Sequence, residues 1–302
     1  MMLDPNLIST ERVQVQPLTD DQEGEIRWNP KKSLFYGGMG IMGLSAIPFT
    51  NPKDWMVFVL ITGVTILAGH SVGMHRLLIH RSFKTSIWLE YFLVYLGVLV
   101  GMAGPIGMIR LHDARDWHQR QLQCPPFPSH ATGFWRDAWW QLHCTFYLLN
   151  PPEFVLEKSI AESKFYKWLE RTWMMQQIPL GIVLFLLGGW SLVGVGIGLR
   201  VFVSLTGHWM IGHFAHKKGE QRWVISELPV QGYNLPYLSW LAFGENWHGN
   251  HHAFPESALL GVEEHQGDPG FIFIRVLKKI GLAWDINLPQ HCIRREGLTL
   301  VI

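Results

Sequence analysis

Long apolar runs alternate along this chain with polar stretches rich in histidine and tryptophan. Ser33 to Phe49 is a glycine-rich apolar run ending in the turn signal Pro48-Phe-Thr-Asn-Pro52, and Trp55 to Met74 is a second run. Each approaches the roughly 20 residues that a spanning helix needs, and the short polar turn makes them a hairpin that returns to its starting side. A third apolar stretch, Trp88 to Ile109, is interrupted by Glu90, Gly101, Gly104 and Pro105. If it spanned, the histidines on its two flanks would face opposite sides of the bilayer, so it is expected to lie in the interface or re-enter. Residues 110–172 are polar, Trp-rich and carry Cys124-Pro-Pro-Phe-Pro128, which predicts a cap of short helices and loops. From Trp173 to Gly212 the chain is apolar again, and Gly188-Gly189 offers a turn between two short spans.

The pattern predicts an all-α integral membrane protein of four transmembrane helices in two hairpins, about 33–49, 54–74, 173–188 and 190–212, under a cytosolic helical cap. One domain, 33–286, lies between a polar N-terminal tail, 1–32, and a short C-terminal tail, 287–302. Residues 1–26, polar and acidic, do not read as a cleaved signal peptide and are expected to be mobile. Orientation follows from the basic residues. Arg27, Lys31, Lys32, Arg76, Arg81, Lys84, Lys217 and Lys218 fall on the side carrying the histidines, whereas the opposite turns carry only Lys53. Both termini and every histidine cluster are therefore expected in the cytosol. Arg200, inside the fourth span, is expected to snorkel or to pair with a carboxylate.

Composition narrows the class. Of 302 residues, 48% are hydrophobic and 16% charged, too apolar for an ordinary soluble domain. A formal net charge of +1 gives no broad basic surface, which excludes nucleic acid as a partner. Cys124, Cys144 and Cys292 are too few and too scattered for a disulfide framework or a Cys-x-x-Cys site.

The histidines carry the chemistry. Imidazoles gathered at membrane boundaries are hard to explain as packing and easy to explain as a metal site. His248, His251 and His252 are spaced i, i+3, i+4, which puts three imidazoles on one helix face, able to converge on one metal or straddle two. His75 and His80 are five apart, about 140° around an α-helix, and do not share a face unless the helix unwinds or they serve different ions. His213 and His216 follow the fourth span, with His208 within two turns.

These residues stand in three recognisable runs: Gly69-His-Ser-Val-Gly-Met-His75-Arg-Leu-Leu-Ile-His80-Arg, Gly244-Glu-Asn-Trp-His248-Gly-Asn-His251-His252-Ala-Phe-Pro255 and Gly281-Leu-Ala-Trp-Asp285. From about residue 33 to 286 the chain resembles the membrane fatty acyl desaturases of the acyl-CoA delta-9 (stearoyl-CoA) type. The resemblance implies a four-span fold with a cytosolic cap and a di-iron centre of two Fe2+ ions. It implies that O2 and two external electrons remove two hydrogens from a long-chain acyl substrate, leaving a cis double bond and water. It implies His75, His80, His112, His216, His248, His251 and His252 as iron ligands, with His208 and His213 as further candidates. A neutral imidazole shell suits Fe(II) and holds no thiolate that an oxidant would destroy. Glu245, Asp113 and Asp137 are candidates to orient the ligand rings.

The middle histidine cluster departs from the family. The usual His-x-x-His-His is replaced within Arg110-Leu-His112-Asp113-Ala-Arg115-Asp116-Trp-His118-Gln-Arg120-Gln. Counting from the first cluster keeps His112 and puts Arg115 and Asp116 at the other two positions. Matching Ala114-Arg-Asp116 to the family's own Ala-Arg-Asp instead keeps none. The first register is preferred, because Asp116 can itself ligate iron. The family's helper Asn, four residues before the histidine of the fourth span, falls on Gly212, and the additional histidines His70, His118, His208 and His213 are available to compensate. No haem, iron–sulfur or dinucleotide motif is present, so a ferredoxin or cytochrome-type electron donor is expected to dock on the cap. Desaturation is the leading function. Hydroxylation of the acyl chain, or a catalytically altered lipid-binding membrane protein, are the alternatives.

Overall fold

The computed structural model describes residues 12–20 and 22–301. Most of the described chain is helical. In chain order the helices are α1 (Pro30–Ala46), α2 (Pro52–Val64), α3 (Ile87–Leu99), α4 (Pro105–Gln119), α5 (Phe134–His143), α6 (Lys158–Ala161), α7 (Lys164–Thr172), α8 (Gln177–Val193), α9 (Arg200–Ala215), α10 (Ser239–Ala242), α11 (His248–Ala253) and α12 (Pro269–Lys279). Two π-wound segments prolong this set: Thr65–Ile79 continues α2, and Gly194–Leu199 leads into α9. The all-α expectation needs one correction, because among the described residues six short strands form three antiparallel pairs: β1 (Val13–Gln14) with β4 (Glu153–Phe154), β2 (Gly24–Trp28) with β3 (Cys144–Leu148), and β5 (Trp223–Ile225) with β6 (Leu298–Leu300).

Local chemistry sets the helix starts. Asn29 caps α1 by accepting from Lys32 N, and Asn51 with Asp54 forms a reciprocal capping box at α2, each ahead of a proline at the first helical position. Two continuous helical stretches are long and apolar enough to cross a membrane, Pro52–Ile79 with a mean hydropathy of 1.8 and Lys164–Ala215 with 2.2. Their outward faces leave Val59, Leu60, Leu186 and Leu187 largely exposed, the surface of a membrane-associated protein.

The longer stretch reverses at Gly189, whose φ of +70° lies in the left-handed region open to glycine. Beyond it Gly196 packs on Leu184 and Ile197 lies against Gly181, which makes α8 and the Gly194–Leu199 segment an antiparallel hairpin. α1 runs antiparallel to that segment so closely that a Cβ on Gly43 would collide with the Leu199 backbone. α3 doubles back along Thr65–Ile79 in the same way, with Gly69 against Leu96. Thirteen residues make α3 about 20 Å long, short of the roughly 30 Å hydrocarbon core.

Three expectations are corrected. Over the described part of the expected mobile N-terminal tail, the chain is tied down: Arg12 is fully buried and bonds Glu157, Asp113 and the Ile79 carbonyl, while β1 and β2 are paired. Residues 1–11 lie outside the described residues. The expected C-terminal tail likewise ends in β6 and places Arg295 Nη2 3.7 Å from Asp116. Arg200 neither snorkels nor meets a carboxylate. It is buried and donates to the Gln177 amide oxygen at 2.5 Å and to the Leu99 and Gly196 carbonyls at 2.6 and 2.8 Å. Backbone and amide oxygens thus satisfy its donors without a second charge.

Candidate metal centre

The π-wound segment solves the spacing of the first cluster. There the His80 N–H donates to His75 O, five residues back, at 3.1 Å, so the two residues sit about one turn apart, and their rings approach to 4.8 Å between centroids. α4 brings in His112, whose Nε2 lies 3.2 Å from His80 Nε2. α11 brings in His251, 4.6 Å from the His75 ring and 4.8 Å from that of His80. One ring nitrogen from each of these four residues falls within 4.8 Å of all the others.

A second group forms beside it from the end of α9 and the other edge of α11. His248 Nε2 lies 3.0 Å from His216 Nε2 and 3.1 Å from His252 Nε2. The i, i+3, i+4 triplet therefore straddles two positions: His248 and His252, one turn apart, serve the second, and His251 serves the first. α11 is held in register by buried Asn250, whose amide donates to Leu260 O and Gln266 Oε1. Buried Arg76, paired with Asp268 at 2.9 Å, donates to Ala258 O beyond the helix and to Phe243 O at 3.5 Å ahead of it.

Surrounding groups fix which way these rings present their lone pairs. His112 Nδ1 donates to Asp113 Oδ1 at 3.1 Å, and His216 Nδ1 donates to the Gln231 carbonyl at 3.1 Å, so each turns a bare Nε2 inward. His75 Nδ1 meets Glu245 Oε2 at 2.6 Å, off the straight line of a hydrogen bond, and Glu245 is itself fixed by Ser71 Oγ at 2.6 Å. Burial, reinforced by neighbouring imidazoles, pushes the pKa of His216, His248, His251 and His252 well below the ordinary histidine value. Neutral imidazole nitrogens thus gather at two points, a donor set that fits transition-metal ions.

Other candidates from the sequence lie elsewhere. Asp116 stands outside the converging groups, paired with Arg120 at 3.0 Å and facing Arg295; burial opposes its ionisation, but these cations outweigh it and hold the carboxyl at about 2. His208 packs edge-on against His70, 4.8 Å between centroids. His118 bonds its own helix at Ala114 O. His213 Nδ1 donates to Asp137 Oδ2 at 2.8 Å, and His130 Nδ1 does the same, a third cluster in which His130 was not singled out from the sequence. Its signal was faint: one histidine beyond a proline-rich loop, without a spaced partner. Of the candidates to orient rings, Asp113 and Glu245 contact members of the first group, and Asp137 contacts neither group. Gln119 also reaches the second group, its amide donating both to His216 Nε2 at 3.0 Å and to Pro128 O at 2.8 Å.

A family model described as fatty acid desaturase matches residues 53–263. Among characterised proteins, the chain is 33% identical over 267 residues to sn-1 stearoyl-lipid 9-desaturase from Anabaena variabilis, covering 87% of this chain and 95% of that one. It is 34% identical over 229 residues to Delta-9 acyl-lipid desaturase 1 from Arabidopsis thaliana, 76% of this chain and 73% of the other. It is 28% identical over 271 residues to Acyl-CoA C20 Delta5-desaturase from Anemone leveillei, 87% of this chain and 83% of the other.

Proposed function

This chain belongs to the fatty acid desaturase family, and from that premise we propose how it carries out fatty acyl desaturation. It is an oxidoreductase that introduces a cis double bond into a long-chain acyl group, carried on a lipid or as a thioester. His75, His80, His112 and His251 hold one iron ion, and His216, His248 and His252 hold the other. When bound, the irons supply activation of O2 with electrons from an external ferredoxin or cytochrome-type donor. The observation that carries this reading is the convergence of seven imidazoles into two groups, with Nδ1–H bonds to Asp113 and Gln231 turning the lone pairs of His112 and His216 inward.

The chain's own residues keep the centre in shape. Glu245 and Asp113 orient His75 and His112, and the buried Arg76–Asp268 pair holds the loop that carries Glu245. Burial of His75, His80, His251 and His252, each under a tenth exposed, keeps bulk water from the reacting carbon. We read the domain 33–286 as four spans, α1, Pro52–Ile79 and the two halves of Lys164–Ala215, with α3 re-entrant. The histidine ends of these helices, and both termini, face the cytosol. Aliphatic burial supplies acyl affinity at about 0.8 kcal/mol per methylene.

Expression in a host lacking its own desaturase, followed by gas chromatography–mass spectrometry of total fatty acids, tests the reading. A new monounsaturated acid that disappears in the His251→Ala variant is expected. A hydroxylated acid would replace desaturation by the rival oxygen chemistry. A folded, iron-loaded protein that gives neither product would overturn the assignment.

A further inference from the structure

The second group has three imidazoles where the first has four, and the middle cluster that should complete it offers Arg115. We propose that His130, a residue outside every recognised motif, supplies the missing donor to the second metal position through one bridging water, held there by Asp137. The inference rests on the two-metal reading above.

His130 is 1% exposed, and its backbone adopts φ of +55°, a left-handed conformation that costs free energy in a residue with a Cβ. Its Nδ1 donates to Asp137 Oδ2 at 2.8 Å, which fixes the tautomer and leaves Nε2 as a bare acceptor. That Nε2 is buried and has no partner among the described residues. The ring lies parallel to His216, 5.6 Å away with 10° between planes. Nε2 also stands 3.3 Å from where a Cβ on Gly212 would be, one turn before His216. The imidazole thus occupies the space into which a side chain at residue 212 would point. His130 is not one of the three converging residues, so its link to the second position is assigned to a water.

Asp137 is a rigid support, since the same Oδ2 accepts from Trp209 Nε1 and His213 Nδ1, both at 2.8 Å. These bonds also argue against a third ion in this cluster, because both Nδ1 atoms are already engaged with the carboxylate that would bind it. Gln119 is a poorer donor. Its amide nitrogen is held by the Pro128 carbonyl, and the same nitrogen faces His216. The carboxylate further offsets Arg115 through Gln141, which accepts from Arg115 Nη2 at 2.7 Å and donates to Asp137 Oδ1 at 3.3 Å. The arginine in the middle cluster and the His130–Asp137 pair are therefore one coupled arrangement.

Zinc titration of the metal-free full chain in detergent, with metal counted by mass spectrometry, tests this without turnover. The wild type should bind two ions. In His130→Ala the first equivalent should bind unchanged, certifying the fold, while the second weakens about 10–100-fold, as for other outer partners of metal sites. Gly212→Asn added to His130→Ala should restore it, by returning a polar side chain to the same space. Fewer than two ions in the wild type would sink the two-metal reading and this assignment with it. Two ions in the wild type and both affinities unchanged in His130→Ala would sink the assignment alone. Should His130→Ala not fold, a zinc-loaded wild-type structure decides: a water shared by the second ion and His130 Nε2 is expected, and its absence overturns the proposal.

Discussion

The two imidazole groups share one helix, α11, yet they differ in what stands behind them. The first draws its four members from three elements and is backed by two carboxylates, Glu245 on His75 and Asp113 on His112. The second has three members, one of them backed by a carbonyl, with the charge of Arg115 nearby and Gln119 at its edge. Carboxylates raise the basicity of the rings they hold and offset metal charge, whereas a carbonyl does so weakly. The first group is therefore the better backed of the two.

The largest effect should come from removing a ligand of the well-built group. His251→Ala is expected to lower product formation by more than about 100-fold, beyond what losing an outer partner does, and to remove one metal per chain. On the proposed two-iron reading, His248→Ala should be as inactive but should leave the first ion in place. A variant of either kind that kept a tenth of wild-type product formation would break the comparison, since the group concerned would then be dispensable.

A smaller, sharper test acts through the carboxylates. Glu245→Gln keeps the shape and a hydrogen-bonding oxygen but removes the charge behind His75. Metal titration should show one equivalent weakened about 10–100-fold and the other unchanged. Equal loosening of both equivalents would mean that the two groups do not bind independently, and the contrast between them would lose its meaning.

Much of this centre was legible in the chain. The His248, His251 and His252 triplet announced a shared helix face, and the long apolar runs announced Pro52–Ile79 and Lys164–Ala215. What could not be read came from departures from regular geometry and from distance in sequence. His75 and His80 look 140° apart only if the helix is α-wound, and the π-wound hydrogen bonding of Thr65–Ile79 has no counterpart in hydrophobic periodicity. Arg12 looked like part of a loose tail because its partners Asp113 and Glu157 are more than a hundred residues away. His130 was invisible for the same reason. A lone histidine in a loop becomes informative only when Asp137, Gly212 and His216 are seen around it.

The smallest effect is one of pH, and it too separates the groups. Outside the membrane-spanning segments, burial holds several imidazoles neutral, among them His80, His130, His216, His248, His251 and His252, with pKa values pushed below the ordinary value of about 6.5. In the unfolded chain each takes up a proton near that value, while in the folded protein it does not until much lower pH. Between the two, the unfolded state binds more protons, so acidification lowers stability, by up to about 1.4 kcal/mol per pH unit for each such ring. Asp116, held at about 2, stays ionised across this window and contributes nothing to the slope. Melting of the metal-free protein should therefore be flat from pH 8 to 7 and fall steadily towards pH 5. Bound metal should shift the decline to lower pH, because protons must then displace it. Replacing His248 and His252 of the second group together by Asn removes two such rings and should reduce the slope about twice as much as His251→Asn, which removes one. Equal effects of the two changes would show that the rings do not titrate independently.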